Sequence, residues 1–97
     1  MIEKGDLLFI GTNVATVMGI YDHMHYGYFY LTKPIAVGVK MVSDTQIEYR
    51  AKSIEDLYIL PNTIEIVPKN IHDERYQMYV KTTTGVEIVT KVPLTVH

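Results

Sequence analysis

A short polar segment, residues 22–26 (DHMHY), carries the side chains best suited to chemistry. His23 and His25 lie two residues apart, so in a β-strand they would share one face. With the Asp22 carboxylate they could hold a metal ion, because imidazole nitrogens and carboxylate oxygens are common zinc ligands. We favour the alternative of a solvated hairpin loop, since Asp22-His23-Met24-His25 interrupts an apolar run. The sequence therefore predicts no metal site.

Two further sets of side chains could bind a ligand. Tyr26, Tyr28 and Tyr30 alternate, so one strand would place them on one face, where base stacking contributes about 1–3 kcal/mol per base. We favour an aromatic wall against the core or a neighbouring subunit. Four basic residues could form either a phosphate-binding patch or a scattered solvated face: Lys33, Lys40, Arg50 and Lys52.

Motifs typical of catalysis are missing from the sequence. It contains no Gly-rich phosphate loop, no Gly-x-Ser-x-Gly, no His-Glu-x-x-His and no cysteine nucleophile. The two serines, Ser43 and Ser53, lie in turn-like segments, where a hydroxyl commonly bonds to the backbone. We therefore predict that the protein is not an enzyme and uses no cofactor.

Length and charge narrow the function classes. A chain of 97 residues predicts a single domain, residues 1–97. The net charge of −2 lacks the basic footprint typical of nucleic-acid binders. The lack of cysteine and of a signal peptide predicts a reducing compartment such as the cytoplasm, and no apolar run is long enough to cross a membrane. The eight tyrosines favour half-buried surfaces or subunit contacts.

Short apolar runs separated by turn residues predict a mainly β protein. The run from Val14 to Ile20 has no polar face, which predicts a strand buried on both sides. Pro34 predicts an edge or a bend, and Gly38 predicts a bulge or a tight bend. The other predicted strands cover residues 6–10, 28–32, 35–42, 47–52, 57–60, 63–67 and 86–92. Of these, the short strand 57–60 is expected to be buried.

The segment from Asn70 to Thr83 fits two structures. Acidic residues early and Lys81 late suit the helix dipole, Asn70 could cap the start, and Gly85 could end a helix. The alternation of Tyr76, Met78 and Val80 would also suit a hairpin. We favour the helix because of the order of the charges.

Two stretches resemble the conserved motifs of Sm/LSm proteins. The first motif has a strand, a glycine, a turn-bounded strand, an Asp-led loop and an apolar strand, matched by Gly11, Val14, Gly19, Asp22, Phe29 and Leu31. The second has a short strand, a tight turn and an Ile-rich strand, matched by Ile59, Asn62, Ile64 and Ile66. Residues 30–34 and the helix after Pro68 look more specifically like the Sm-like proteins of cyanophages and marine metagenomes.

The resemblance implies a small, strongly bent five-stranded Sm-like (SH3-like) barrel with a C-terminal helix and an extra terminal strand. It also implies a homo-oligomeric ring, a pentamer to a heptamer, that binds single-stranded RNA or DNA in nucleic-acid processing. A phage-encoded protein of this type would act in the host cytoplasm. The residues that the resemblance assigns to nucleic-acid binding are Asp22, His23, His25, Tyr26 and Asn62.

A second function class stays open. Leu60-Pro61 stand where the second Sm motif carries Arg-Gly, and the overall charge is acidic. These features favour a structural or protein-interaction oligomer that keeps the ring and lacks the nucleic-acid site. A physical argument that does not depend on the resemblance also favours a ring. An open barrel leaves unpaired edge strands, and identical subunits can pair these edges in a closed circle.

Overall fold

The computed structural model describes residues 1–85, apart from the side chains of residues 39, 42 and 47. These residues form, in order, β1 (Leu7–Gly11), β2 (Thr16–His25), β3 (Tyr28–Ser43), β4 (Gln46–Ser53), β5 (Leu57–Ile59), β6 (Thr63–Ile66) and helix α1 (Glu74–Thr84). The predicted mainly β class is confirmed. The strand predicted at residues 86–92 lies outside the described residues.

The strands form one antiparallel sheet in the order β4-β3-β2-β1-β6, with β5 also paired to β3. The pairs Ile35–Ser53 and Leu31–Leu57 are four residues apart on both strands, so β5 continues the register of β4 along β3. Within residues 1–85, no pairing joins β6 to β4 or β5. The described sheet is therefore open, and the five-stranded barrel stays a prediction.

Both faces of the central strands are buried. Two hydrophobic clusters result: a helix-side core of Leu7, Met18, Ile35, Val37, Val67 and Tyr79, and an inner core of Leu8, Ile10, Val17, Leu31 and Ile59. Neighbouring residues of one strand, such as Val17 and Met18, enter different cores because side chains alternate between faces. Each such side chain contributes about 1.5–3 kcal/mol through burial. The predicted two-sided burial is confirmed for these two residues.

The two-sided strand begins later than the sequence predicts. Val14 is 94% exposed, and β2 starts only at Thr16. The hydroxyl of Thr12 accepts hydrogen bonds from the backbone N–H groups of Val14 (3.3 Å) and Ala15 (3.0 Å). A hydroxyl that binds nearby backbone groups stabilises a turn against a strand, which outweighs the β-branched side chain of Val14.

The bend predicted at Pro34 is confirmed, and it lies in a strand with partners on both sides. Residues 33 and 34 lie opposite Gly19 alone, and Lys33 has φ of 48°, so β3 bulges there. A Cβ at Gly19 would lie 3.0 Å from the Cβ of Leu31 and 3.3 Å from the Cα of Pro34. The bulge therefore requires a glycine on the strand that faces it.

Of the two structures predicted at Gly38, a bulge or a tight bend, the bulge is wrong. Gly38 pairs with Arg50 in a continuous register that runs from Ile35 to Met41. Among the described residues, a Cβ at Gly38 would have one neighbour within 4 Å, the carbonyl oxygen of Arg50 at 3.7 Å. Neither the strand register nor close packing requires a glycine at this position.

The helix predicted after Pro68 is confirmed, and the hairpin is excluded. Its N-cap is Asp73, whose carboxylate accepts from the N–H groups of Arg75 (2.9 Å) and Tyr76 (3.2 Å). Asn70, the predicted cap, instead accepts from the N–H of His72 in the preceding turn. Gly85 ends the helix with φ of 73°, as predicted. Within residues 1–85, no helix is long and apolar enough to cross a membrane.

Two side chains of α1, Tyr79 and Arg75, attach the helix to the sheet. The buried Tyr79 donates its hydroxyl proton to the carbonyl oxygen of Lys33 at 2.7 Å, which ties the helix to the β3 bulge. Burial raises the pKa of the Tyr79 phenol to about 12. Arg75 bonds to Glu65 of β6 at 2.6 Å, and its guanidinium lies over the Phe9 ring of β1. The helix thereby covers one face of the sheet and leaves the β2–β3 hairpin uncovered.

Candidate functional site

The segment predicted as a loop is the end of a strand. Residues 22–25 belong to β2, and the turn of the β2–β3 hairpin is Tyr26-Gly27. Both turn residues have positive φ, 51° and 81°, as the favoured two-residue hairpin turns require. The loop prediction was wrong because polar residues can continue a strand beyond the edge of the core, where both faces meet solvent. Gly27 supplies the left-handed conformation that ends the strand.

Asp22 is the extra residue of a second bulge. Tyr21 pairs with Leu31 and His23 pairs with Tyr30, so Asp22 has no partner on β3. Its carboxylate contacts Nδ1 of His23 at 2.6 Å and Nζ of Lys4 at 3.6 Å. The hydrogen bond to His23 lowers the pKa of the Asp22 carboxyl; desolvation opposes it with a smaller effect, and the charge of Lys4 lowers the pKa further. Asp22 is therefore a carboxylate that orients the His23 ring.

His23 is held from both of its nitrogens. Its Nε2 lies 3.1 Å from the hydroxyl of Tyr58 on β5, and its ring stacks on Tyr30 of β3 with centroids 5.1 Å apart. Tyr30 pairs with His23 on one side and with Tyr58 on the other, so the three residues form a row across three strands. The register of the sheet thus brings together residues 35 positions apart in the chain.

The row extends into a larger surface. His25 contacts Tyr26 at 4.3 Å between centroids and approaches Tyr58 at 6.3 Å. We call this surface the aromatic cluster, and its members are His23, His25, Tyr26, Tyr30 and Tyr58. Tyr26 is 90% exposed and Tyr58 is 50% exposed. Planar ring faces at the uncovered end of the hairpin are therefore accessible to a ligand.

Acidic side chains border the aromatic cluster. Partial burial, followed by the negative charge of Asp56, raises the pKa of the Tyr30 phenol. Asp56 also accepts a hydrogen bond from the backbone N–H of Lys33 at 3.0 Å, which holds it beside the bulge. With Asp22 this gives two carboxylates, and Lys4 lies against one of them. The electrostatics favour a neutral or cationic group at the cluster over a phosphate.

The structure brings four of the five predicted site residues together. Asp22, His23, His25 and Tyr26 share the hairpin end, whereas the side chain of Asn62 bonds to Asn13 at the β1–β2 turn. Asn62 lies three residues after Ile59, which pairs with Phe29 near the hairpin. Three residues span at most about 10 Å, so Asn62 lies within that distance of Ile59.

Tyr58 is the site residue that the sequence did not select, whereas Tyr30 was already one of the three alternating tyrosines. The predicted strand 57–60 was expected to be buried, but Tyr58 points away from the inner core that its neighbour Ile59 enters. Alternation along that short strand was the available signal, since the middle residue of Leu57-Tyr58-Ile59 must face the other side. Of the predicted tyrosine face, Tyr30 joins the cluster and Tyr26 lies in the turn.

The alternative of a metal centre finds no support in the geometry. Among the residues that the structure describes, no three His, Cys, Asp or Glu side chains lie close enough to hold a metal ion. Both nitrogens of His23 already have partners, and His25 contacts rings.

The basic residues form a separate surface on the β3–β4 ribbon. The register sets Lys40 opposite Glu48 and places Arg50 and Lys52 on the same face by alternation. Arg50 bonds to Glu48 at 3.5 Å, so one acidic side chain reduces the positive charge of this face. Lys33 lies apart from these residues, in the bulge.

Comparison with protein-family models, with curated proteins and with solved structures finds no match to this chain.

Proposed function

We propose that the protein is an Sm-like, self-assembling β module that binds single-stranded RNA or DNA through its aromatic cluster. The observation that carries the proposal is the row His23–Tyr30–Tyr58, in which His23 and Tyr58 are exposed and Tyr30 is half-buried, with His25 and Tyr26 beside it. Every nucleobase has a π-face, so such a surface binds bases without sequence readout.

The carboxylates beside the aromatic cluster determine which part of a nucleic-acid strand would contact it. Asp22 and Asp56 repel phosphates, so the bases would stack on the rings while the backbone faces away from the hairpin. Each stacked base contributes about 1–3 kcal/mol, and two or three bases suffice for measurable affinity when several copies act together. The exposed Lys40, Arg50 and Lys52 offer a second contact for the backbone.

Self-assembly is supported by the two free edges of the sheet. Within residues 1–85, β6 pairs only with β1, and β4 pairs only with β3. Both isoleucines of β6 are exposed, Ile64 at 37% and Ile66 at 46%, which is unusual for a strand of an isolated monomer. Pairing of β6 in one copy with β4 of the next is a head-to-tail contact, and such contacts close into rings when the rotation fits. We propose a pentamer to a heptamer.

Binding is tested by fluorescence anisotropy with labelled oligo(U) and oligo(dT) at low salt, where electrostatic attraction is strongest. We expect Tyr26→Ala and Tyr58→Ala to weaken binding by about tenfold each, the loss of one stacked base. Tyr49→Ala is the matched control, because Tyr49 is 53% exposed on β4 and lies outside the cluster. If the wild-type protein bound neither oligonucleotide at low salt, the nucleic-acid part of the proposal would be wrong.

A structural or protein-interaction oligomer is the second candidate function. The carboxylates beside the cluster and the exposed edge of β6 favour it. This candidate predicts a multimeric mass in light scattering that Ile64→Lys reduces to a monomer, together with no binding of either oligonucleotide. The two measurements separate the candidates because assembly and nucleic-acid binding use different surfaces.

A further inference from the structure

Asp22 and two side chains of the aromatic cluster, His23 and Tyr58, form a hydrogen-bonded chain that ends at a hydroxyl. Asp22 contacts Nδ1 of His23 at 2.6 Å, and Nε2 of His23 lies 3.1 Å from the Tyr58 hydroxyl. We propose that Tyr58 is a nucleophile activated by His23 and Asp22, and that it accepts acyl groups from neutral esters. The proposal goes beyond nucleic-acid binding and does not depend on it.

The direction of each hydrogen bond follows from the chemistry of the groups. A carboxylate can only accept, so Nδ1 of His23 carries the proton of its bond to Asp22. In the neutral imidazole the lone pair then lies on Nε2, where it accepts the hydroxyl proton of Tyr58. A nucleophile within about 2.6–3.2 Å of a base that a third group orients is the general signature of activation. Here the three groups come from β2 and β5, across the intervening Tyr30.

The surroundings of Tyr58 select the substrate class. Asp22 and Asp56 disfavour an anionic phosphate ester near the hydroxyl, whereas they do not repel a neutral acyl ester. The exposed rings of His25 and Tyr26 offer a stacking surface for an aromatic leaving group. The hydroxyl itself is reachable, because Tyr58 is half exposed.

The step balances with the ester as the only co-reactant. The oxygen of Tyr58 attacks the acyl carbon of p-nitrophenyl acetate while its proton moves to Nε2 of His23. The bond between the acyl carbon and the nitrophenol oxygen breaks, and p-nitrophenolate leaves, so O-acetyl-Tyr58 and an imidazolium beside Asp22 remain. The imidazolium then gives its proton to the solvent. Water, deprotonated by His23, later cleaves the new ester to acetate and restores the phenol.

The test is peptide-resolved mass spectrometry of the full chain after exposure to p-nitrophenyl acetate. Tyr58 should gain an acetyl group at least tenfold faster than Tyr49, which is equally exposed and has no histidine against its hydroxyl in the described part of the chain. General-base assistance typically contributes a factor of about 10²–10⁴, so tenfold is a conservative threshold. Dianionic p-nitrophenyl phosphate should leave Tyr58 unmodified, and phosphorylation instead of acetylation would overturn the substrate class.

Variants separate activation from mere exposure. His23→Gln removes the base and should lower the acetylation rate of Tyr58 to that of Tyr49, while His72→Gln, in the turn before α1, should not change it. Asp22→Asn keeps an acceptor oxygen and removes the charge, so the rate should fall between those of the wild type and His23→Gln. Equal labelling of Tyr58 and Tyr49, or full labelling of Tyr58 in His23→Gln, would overturn the proposal.

Discussion

Two tyrosines of this protein use the same hydroxyl group for opposite purposes. Tyr79 of α1 is 6% exposed and donates to the carbonyl oxygen of Lys33 at 2.7 Å. Tyr58 is 50% exposed on β5 and meets Nε2 of His23 at 3.1 Å. The first bond satisfies a backbone carbonyl at the bulge of β3, and the second holds an accessible hydroxyl against an imidazole at the surface. Burial, and not residue type or bonding, therefore separates a structural tyrosine from one that is available to a ligand.

The largest difference between the two tyrosines should appear in stability. Tyr79→Ala leaves a cavity in the helix-side core and should lower the free energy of unfolding by about 3–5 kcal/mol. Tyr58→Ala removes a half-exposed ring and should cost about 1 kcal/mol or less. Urea denaturation followed by circular dichroism measures both, with Tyr49→Ala as the control for an exposed strand tyrosine. Equal losses for the two variants would contradict the division into structural and accessible tyrosines.

Alkaline pH should lower the free energy of unfolding through Tyr79, by a smaller amount than the substitution to alanine. The folded pKa of Tyr79 is about 12, against 10.0 for an ordinary tyrosine, so the unfolded chain loses this proton first. Stability is therefore constant below pH 10, falls between pH 10 and 12, and is lowered at the end by at most about 3 kcal/mol from this group.

The alkaline effect is measured by urea denaturation of the wild type and Tyr79→Phe across this pH range. The difference in unfolding free energy between the two proteins should shrink as the pH rises from 10 to 12. A difference that stays constant over the range would show that the phenol is not protected by burial. Tyr58→Phe serves as the control, because its ring lies at the surface.

The smallest effect concerns the accessible site. The hydrogen bond from His23 lowers the pKa of the Asp22 carboxyl below 3.8, so its contribution to stability is present above that pH and is lost as the pH falls through the lowered pKa. Carboxyl carbon NMR should show Asp22 titrating below its usual range. His23→Gln should move the midpoint upward, and Lys4→Gln should move it less. A midpoint that His23→Gln does not change would break the link between Asp22 and His23.

The local residue pattern predicts well those elements whose structure depends on residues within the element itself. The helix after Pro68 and its end at Gly85 follow from charge order and a glycine that tolerates positive φ. The buried faces of Val17 and Met18 follow from a run without a polar side. Each prediction needs only residues within one element.

The failed predictions involve choices between elements. Val14 was placed in a strand by its side chain, yet the hydroxyl of Thr12 holds it in a turn. Asp22 and its neighbours were placed in a loop by their polarity, yet they pair with β3 outside the core. In both cases a backbone hydrogen bond outweighed the preference of the side chain, and composition does not report which bond forms.

Composition and local pattern by themselves determined a mainly β protein with a helix after Pro68, no thiol chemistry, and a set of polar and aromatic side chains at residues 22–26. Only the tertiary structure decided that His23 meets Tyr58, which lies 35 positions away. Their meeting depends on the registers of two strand pairings that share Tyr30, and a slip of one residue in either would turn the side chains to opposite faces of the sheet. Register is a property of the whole packed sheet, because burial of both cores selects it.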